Sequence, residues 1–272
     1  MKVTTMTSWA SYDPIAESWV RVAERTWFAR PARDLVSLLA LRTGERLLDV
    51  GAGTGALALE ASRLVGAEGL VIALDPSIAM LRSCRRKHNT RLVAGALPSL
   101  PFPPRSFDAL ACAFVITHVS DADSAVRAMA DTLKPAGRLG LSTWAKSPSA
   151  APPGELWQSV VDQFIPRAAL QEALDRALPA EARFASLEAT AEALRGAGLR
   201  DVRWEERAYE VDVDLAVWIE SRLLSLGSRF MQAHLPSNAW DRFKQQASYE
   251  VEQRFGRQLR FSIRVNFAIG VA

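Results

Sequence analysis

Asp49, Gly51, Gly53, Thr54, Gly55 and Asp75 are the residues whose types and spacing could carry chemistry in this sequence. Leu47-Leu48-Asp49-Val50 reads as a short buried strand running into the turn Gly51-Ala52-Gly53-Thr54-Gly55, and Ala56-Leu57-Ala58-Leu59-Glu60-Ala61 continues with helix formers. Strand, tight turn and helix in that order put backbone N–H groups and a helix N-terminus at the carboxyl end of a parallel strand, where open α/β sheets bind nucleotides. Glycines suit such a turn because a Cβ would hold a ligand off the backbone and because some positions call for φ > 0. Gly51, Gly53 and Ala56 satisfy the dinucleotide spacing G-x-G-x-x-G/A, and Asp75 follows at about the 20-residue distance that fingerprint expects. Taken alone, the loop therefore leaves a nicotinamide or flavin enzyme open.

The flanking segments must hold that turn in place. Residues 43–46 form a turn before the first strand, and residues 70–74 are an uninterrupted apolar run, as a strand buried on both faces should be; it stops at Asp75. Ser77 can cap a helix carrying Ile78, Met80 and Leu81, whose basic end is Arg82, Arg85, Arg86, Lys87 and His88. Residues 91–94 make a third strand. Pro98, Pro101, Pro103 and Pro104 force an extended loop before a fourth strand over 109–114, which delivers Phe114, Thr117 and His118 to the crevice. Residues 122–133 read as an amphipathic helix, Pro135-Ala136-Gly137 as its terminating turn, and 138–144 as a fifth strand.

Taken in order, Leu48-Asp49-Val50-Gly51-Ala52-Gly53-Thr54-Gly55, then Ala73-Leu74-Asp75, then Leu100-Pro101-Phe102 with Phe107-Asp108, then Leu133-Lys134-Pro135-Ala136-Gly137-Arg138-Leu139 resemble the class I S-adenosylmethionine-dependent methyltransferases. Within that family the pattern is most similar to the small-molecule branch that includes the ubiquinone/menaquinone-biosynthesis enzymes. The resemblance spans residues 10–145 and is loose beyond them. It implies a Rossmann-like α/β fold, a seven-stranded, mostly parallel sheet with an antiparallel last strand and a helical cap. It also implies S-adenosylmethionine as the cofactor, held by Tyr12, Asp49, Gly51, Ala52, Gly53, Thr54, Gly55, Asp75, Pro76, Met80, Ala96, Leu97 and Phe114.

Within that implied set, Asp75 takes both ribose hydroxyls, the alternative being a turn aspartate before Pro76. Met80 touches the adenine face. The segment Tyr12-Asp13-Pro14-Ile15-Ala16 lies over the cofactor as a lid, with Tyr12 hydrogen-bonded to the methionine part; simple packing of Tyr12 and the nearby tryptophans is the competing reading. The family places an aspartate for the adenine amino group where this chain has Ala96. Unless the backbone N–H of Ala96 or Leu97 replaces it, the loss of a charged hydrogen bond weakens binding by roughly ten- to a hundredfold. His118, just past the fourth strand, is the candidate general base for a substrate hydroxyl or acidic carbon, with an ordinary imidazole pKa of about 6.5 suited to the task. It could instead only hold its loop.

The rest of the sequence sets bounds. With 272 residues, 49% apolar and 23% charged, the chain can bury a sizeable α/β core with an appended cap. A net charge of +3 with scattered arginines gives no nucleic-acid footprint. Cys84 and Cys112 are too few for a disulfide framework, and His88, His118 and His234 lack metal-ligand spacing, so no metal and a reducing, cytoplasmic setting are expected. Residues 1–10 do not read as a secretory signal, nor does any stretch read as a membrane span. The expected division is an N-terminal helical lid over 1–40, the core over 41–146, a helical cap insertion over 147–185, core again over 186–212, a second cap over 213–257, and a last strand over 258–272. That strand alternates Phe261, Ile263, Val265 and Phe267 with polar residues and belongs beside the sixth, antiparallel.

The function implied is methyl transfer to a small apolar or aromatic acceptor by a monomer or homodimer. The reading kept beside it is a protein of this fold that binds the cofactor or a small molecule without transferring methyl, as a binding module or rearrangement catalyst.

Overall fold

The computed structural model describes residues 8–84, 88–145 and 152–272. After two short 3-10 turns come helices α1 (Ala16–Arg25) and α2 (Ala29–Leu38), then strand β1 (Arg46–Val50), α3 (Ala56–Val65), β2 (Leu70–Asp75), α4 (Ile78–Ser83), β3 (Thr90–Ala94) and β4 (Phe107–Ala113). A 3-10 turn (Ile116–His118) leads to α5 (Ala122–Asp131) and β5 (Leu133–Trp144). Four helices follow, α6 (Pro152–Phe164), α7 (Arg167–Ala177), α8 (Glu181–Phe184) and α9 (Leu187–Gly196), and then β6 (Arg200–Asp214). The last elements are α10 (Leu215–Leu223), α11 (Leu226–His234), α12 (Ser237–Phe255) and β7 (Gln258–Val271).

The seven strands form one sheet in the order β3-β2-β1-β4-β5-β7-β6. Pairs among the first five are parallel, and β7 runs antiparallel to β5. The apolar runs of β1 and β2 are there because both sheet faces are covered: Leu47, Leu48, Val71 and Ala73 are fully buried. Helix starts follow the caps available in the sequence. Ser77 accepts from the N–H of Met80, Asp121 from Ser124, Ser186 from Ala189, Asp214 from Ala216 and Ser225 from Ser228.

Three stretches depart from the sequence expectation. Helix α5 stops at Asp131, and Pro135-Ala136-Gly137 lies within β5 and not in a turn ahead of it. Phe107 pairs with Leu133 but Ala109 with Arg138, so residues 134–137 bulge from the strand, with Ala136 at φ +63° and its N–H bonded to the carbonyl of Ala272. A proline that cannot donate to the ladder makes a bulge the natural accommodation. The expected helix over 156–178 breaks into α6 and α7 at Pro166 for the same lack of a donor. Of the expected linker over 147–154, residues 152–154 begin α6 and 147–151 lie outside the described residues, as do Arg85, Arg86 and Lys87 of the basic run.

The chain divides into two compact units. A sheet unit comprises Phe28–Lys146, Leu178–Arg207 and Arg264–Ala272; a helical unit comprises Met1–Trp27, Ser147–Ala177 and Ala208–Ile263. The division therefore falls after Trp27, where the sequence suggested a border after residue 40, and it leaves α2 in the sheet unit. The sheet unit is centred on Leu48, Leu74, Phe107, Leu110, Met129 and Leu139. The helical unit has its own core around Trp157, Trp218, Met231, Phe243 and Val251.

The Leu133–Leu139 stretch has a structural task within the sheet unit. Lys134 Nζ lies 2.8 Å from both carboxylate oxygens of Asp108, which also accepts the Arg46 N–H at 2.9 Å. Arg138 forks onto both oxygens of Glu45 at 2.8 and 2.7 Å and donates to the Leu39 carbonyl. Burial pushes the Glu45 and Asp108 carboxyls up, but these hydrogen bonds and charges win and hold both below the ordinary carboxylate range.

Candidate active site

In the sheet order the chain passes from β1 to β2 and β3 on one side and to β4 and β5 on the other. The crevice of such a sheet lies at the carboxyl ends of the strands where the direction reverses, here β1 and β4. The loops after these two strands touch. A Cβ built on Gly51, which has φ +72°, would lie 2.2 Å from Cγ2 of Val115, so only glycine fits. Gly53, at φ +52°, has nothing within 4 Å of that position, which leaves open space against its backbone.

Four N–H groups of this loop, those of Gly51, Ala52, Gly53 and Gly55, are spent inside the protein. Gly51 and Ala52 both donate to the Leu74 carbonyl, at 2.7 and 3.0 Å, and Gly55 donates to Ala52 at 2.8 Å. Gly53 donates to Asp75 Oδ2 at 2.9 Å, and Ala58 in the first turn of α3 donates to the Asp49 carboxylate. The sequence suggested that these donors face a nucleotide; they turn inward instead, and Asp49 sits where a helix N-terminus would otherwise attract a phosphate. What the loop offers a ligand is bare glycine surface and carboxylate.

Asp49 is 1% exposed, and its Oδ2 is buried with no hydrogen-bond partner. Burial, with the charge of Asp75 adding to it and the Ala58 hydrogen bond opposing it, pushes its carboxyl up to about 7. Asp75, also buried, accepts the N–H of Gly53 on one oxygen and that of Ser77, at 2.8 Å, on the other. A carboxylate oxygen can accept more than one hydrogen bond, so these two do not exclude hydroxyl donors from a ligand. A cationic ligand with hydroxyls and no phosphate suits this donor and acceptor set, and the sulfonium and ribose of S-adenosylmethionine meet that description.

The remaining expected residues fall as follows. Thr54 is buried, and Ala52 is half-buried. Pro76 is exposed beyond Asp75, while Met80 is buried at 2% exposure and Ile78, 45% exposed, is the apolar side chain α4 presents at its start. Ala96 is exposed and Leu97 half-buried, in a tight turn closed by the Ala96–Ser99 bridge. Tyr12 is in the helical unit, edge-on to Trp19 at 6.1 Å with the Arg229 guanidinium 5.1 Å from its ring centroid. His118 ends the 3-10 turn after β4, half-buried, its N–H on the Val115 carbonyl.

Phe114 adopts φ +59°, a conformation L side chains resist, and its ring stacks on Trp144 with centroids 4.3 Å apart. Phe28 closes this trio edge-on, 6.2 Å from Phe114 and 5.6 Å from Trp144. Trp144 and Phe28 escaped sequence reasoning, which treated one as a strand end and passed over the other; the available signal was an aromatic at the carboxyl end of a parallel strand. Cys112, beside Asp49 on β4, is no nucleophile, since burial and the Asp49 charge push its thiol up to about 12. Among the described residues, no group of three or more His, Cys, Asp or Glu could hold a metal, and no helix is long and apolar enough to cross a membrane.

Residues 47–137 match the family model described as a methyltransferase domain. The chain is 35% identical over 162 residues to the ubiquinone/menaquinone biosynthesis C-methyltransferase UbiE of Marinomonas sp., covering 57% of this chain and 61% of that protein. It thus spans about three fifths of the length of the curated relative. Among solved structures, the 4+2 cyclase SpnF is 19% identical with a TM-score of 0.60, covering 95% of this chain and 93% of that one. Phosphoethanolamine N-methyltransferase 2 of Haemonchus contortus, in complex with S-adenosylhomocysteine, is 16% identical with a TM-score of 0.60 and covers 98% of this chain and 60% of that one. These structures share the fold. Residues 47–137 are thus similar to a methyltransferase domain, and the motif order and strand order agree with the resemblance to the class I S-adenosylmethionine-dependent methyltransferases.

Proposed function

We propose that this chain transfers a methyl group from S-adenosylmethionine to a small, flat, apolar or aromatic acceptor. The observation that carries the reading is the inward turn of the glycine-loop donors combined with the buried, unpartnered oxygen of Asp49. When bound, the cofactor supplies a methyl on a sulfonium that an acceptor lone pair displaces in line, the C–S bond electrons returning to sulfur. The protein's part is placement and exclusion of water, because the electrophile needs little covalent help. Asp75, fixed by Gly53 and Ser77, orients the ribose; Asp49 supplies negative charge beneath the loop. The Phe28–Phe114–Trp144 trio, at the carboxyl ends of β4 and β5, gives a flat apolar ring a surface to stack on. His118 takes the proton of an acceptor that begins protonated.

Methyl-labelled cofactor incubated with hydroxylated aromatics, quinone precursors and amines tests the reading, alongside calorimetry of the parent and Asp75→Ala. Label transfer and a hundredfold or greater loss of cofactor affinity in the variant are expected, about 3 kcal/mol by the usual conversion. Saturable cofactor binding without transfer to any acceptor would move the chain to the binding or rearrangement reading, and negligible heat from both proteins would remove the cofactor itself.

A further inference from the structure

Strand β6 ends the sheet: β7 lies on one side of it, and among the described residues no strand lies on the other. Its first half, up to Arg207, belongs to the sheet unit, and no loop or helix backbone among the described residues bonds to residues 201–207. Such an edge is a template for a further strand unless its side chains repel one. Side chains alternate along it. Val202 packs on the sheet-unit core and Trp204 lies under the Arg195 guanidinium of α9, 4.5 Å from the ring centroid, yet stays 42% exposed. Glu205 and Arg207 take the other face, where Arg207 bonds Oε1 of Glu205 and, at 3.2 Å, Asp34 of α2. Arg203 is exposed and has no ion pair among the described residues.

These charges select a partner. A two-fold axis perpendicular to a sheet that continues across two copies keeps every residue on its own face, so the axis passes through one residue, which opposes its own counterpart. With the axis at Asp201, Arg203, Glu205, Glu206 or Arg207, that residue sets its own charge against itself, which is unfavourable. With the axis at Val202, the ladder centres beside Asp201, whose φ of +48° interrupts a regular strand. Trp204 is free of both faults. There Arg203 of each copy faces Glu205 of the other, Asp201 faces Arg207, Val202 faces Glu206, and the two exposed indoles meet. Arg207 occupies Oε1 of Glu205 and leaves Oε2 for the opposing Arg203. We infer that the outer edge of β6 is the docking surface for a second copy of this chain, antiparallel, with the two-fold axis at Trp204. None of the residues assigned to the cofactor or acceptor lies on β6, so dimerisation and methyl transfer are tested separately.

Single cysteines in the full chain read both the contact and its register. At the axis the Cα atoms of a residue and its counterpart lie about 4.5–5.5 Å apart, within disulfide reach, whereas one position away they lie about 8 Å apart, beyond it. Trp204→Cys, oxidised with copper phenanthroline, is expected to form a covalent dimer at least about tenfold faster than Arg203→Cys or Glu205→Cys; Cys84 and Cys112 are buried and add little background. Sedimentation velocity is the second measurement. The parent is expected to dimerise below about 100 µM, and Arg203→Glu or Glu205→Arg, which set like charges opposite, to raise the dissociation constant about tenfold or more. An equimolar mixture of those two variants should restore a dimer, because the two reversals then face each other. A parent that stays monomeric at that concentration, crosslinking at 203 or 205 that equals or exceeds crosslinking at 204, or a dimer that both reversals leave intact overturns the inference. Should Glu205→Arg fail to fold, the cysteine pattern and Arg203→Glu, at an exposed position, decide alone.

Discussion

Each compact unit buries charge of one sign and leaves it uncompensated, and the two differ in what they can do about it. In the sheet unit the group is Asp49, with Oδ2 unpartnered; in the helical unit it is Arg229 and, half-buried, Arg222, each with a nitrogen that has no partner among the described residues. Asp49 can take up a proton, and burial has moved its carboxyl to about 7, so near neutrality it is poised between charged and neutral. The arginines have no such escape. A carboxylate that can discharge tolerates an empty crevice and answers to pH, whereas a buried guanidinium stays charged and answers only to an anion. The comparison is open to perturbation at three positions.

The largest effect is expected in the sheet unit, at Gly51→Ala. The new methyl would meet Val115 at 2.2 Å on a backbone already at φ +72°. Strain of the left-handed conformation and displacement of Val115 together destabilise by about 2–4 kcal/mol. Because the loops after β1 and β4 meet at this point, cofactor affinity should fall with stability. Chemical denaturation of the variant, and of the double variant carrying Val115→Ala, checks it: partial recovery in the double variant is expected, and a single variant as stable as the parent would deny that the two loops are in contact.

Legibility in the sequence followed the same divide. The sheet unit could be read because β2 is an unbroken apolar run that stops at Asp75, β1 runs into Gly51, and the glycines and Asp75 occupy fixed spacings. Its errors were local. The Pro135-Ala136-Gly137 stretch has the composition of a turn yet forms a bulge, because pairing with β4 on one side and the contact with Ala272 on the other outweigh local preference. The direction of the loop N–H groups could not be read either, since it depends on the Leu74 carbonyl, which every strand possesses. In the helical unit, nothing in the local sequence distinguishes Arg222 on α10 or Arg229 on α11 from the other helix arginines. Only the aromatic rings beside them, drawn from segments far apart in sequence, reveal that Arg229 is buried and that the Nε of half-buried Arg222 is enclosed.

A smaller, pH-dependent effect should separate the two kinds of charge. The folded-state carboxyl of Asp49 lies above the 3.8 of an exposed group, so between about pH 4 and 7 the folded protein holds a proton that the unfolded chain has released, and stability falls as pH rises through that window. Asp49→Asn should remove this slope and leave the unliganded variant more stable than the parent at pH 8, on the order of 2 kcal/mol. Binding of a cationic cofactor should favour the ionised form and release a proton near neutrality in the parent but not in the variant, with affinity about tenfold weaker in the variant. Melting temperatures from pH 5 to 9 and calorimetry in buffers of different ionisation enthalpy measure both. A parent whose stability does not fall between pH 5 and 7 relative to Asp49→Asn would mean that Asp49 is compensated after all.

The smallest effect is expected at Arg222→Met, and its sign is the informative part. Truncating one partner of a buried ion pair normally destabilises, because the other charge is stranded. Among the described residues half-buried Arg222 has no such partner, so replacing its guanidinium with an apolar side chain of similar length removes an uncompensated charge and strands nothing. The two cation–π interactions that the substitution removes lie at the outer limit of their range, and the Met thioether can pack against the same Trp157 and Trp218 rings. The variant should therefore gain about 1 kcal/mol in denaturant titrations, equally at pH 6 and pH 8, in contrast to the pH-dependent gain at Asp49→Asn. A loss of 1 kcal/mol or more would show that the Arg222 guanidinium is held by something stronger than two distant rings, and the parallel between the two units would then rest on Arg229 alone.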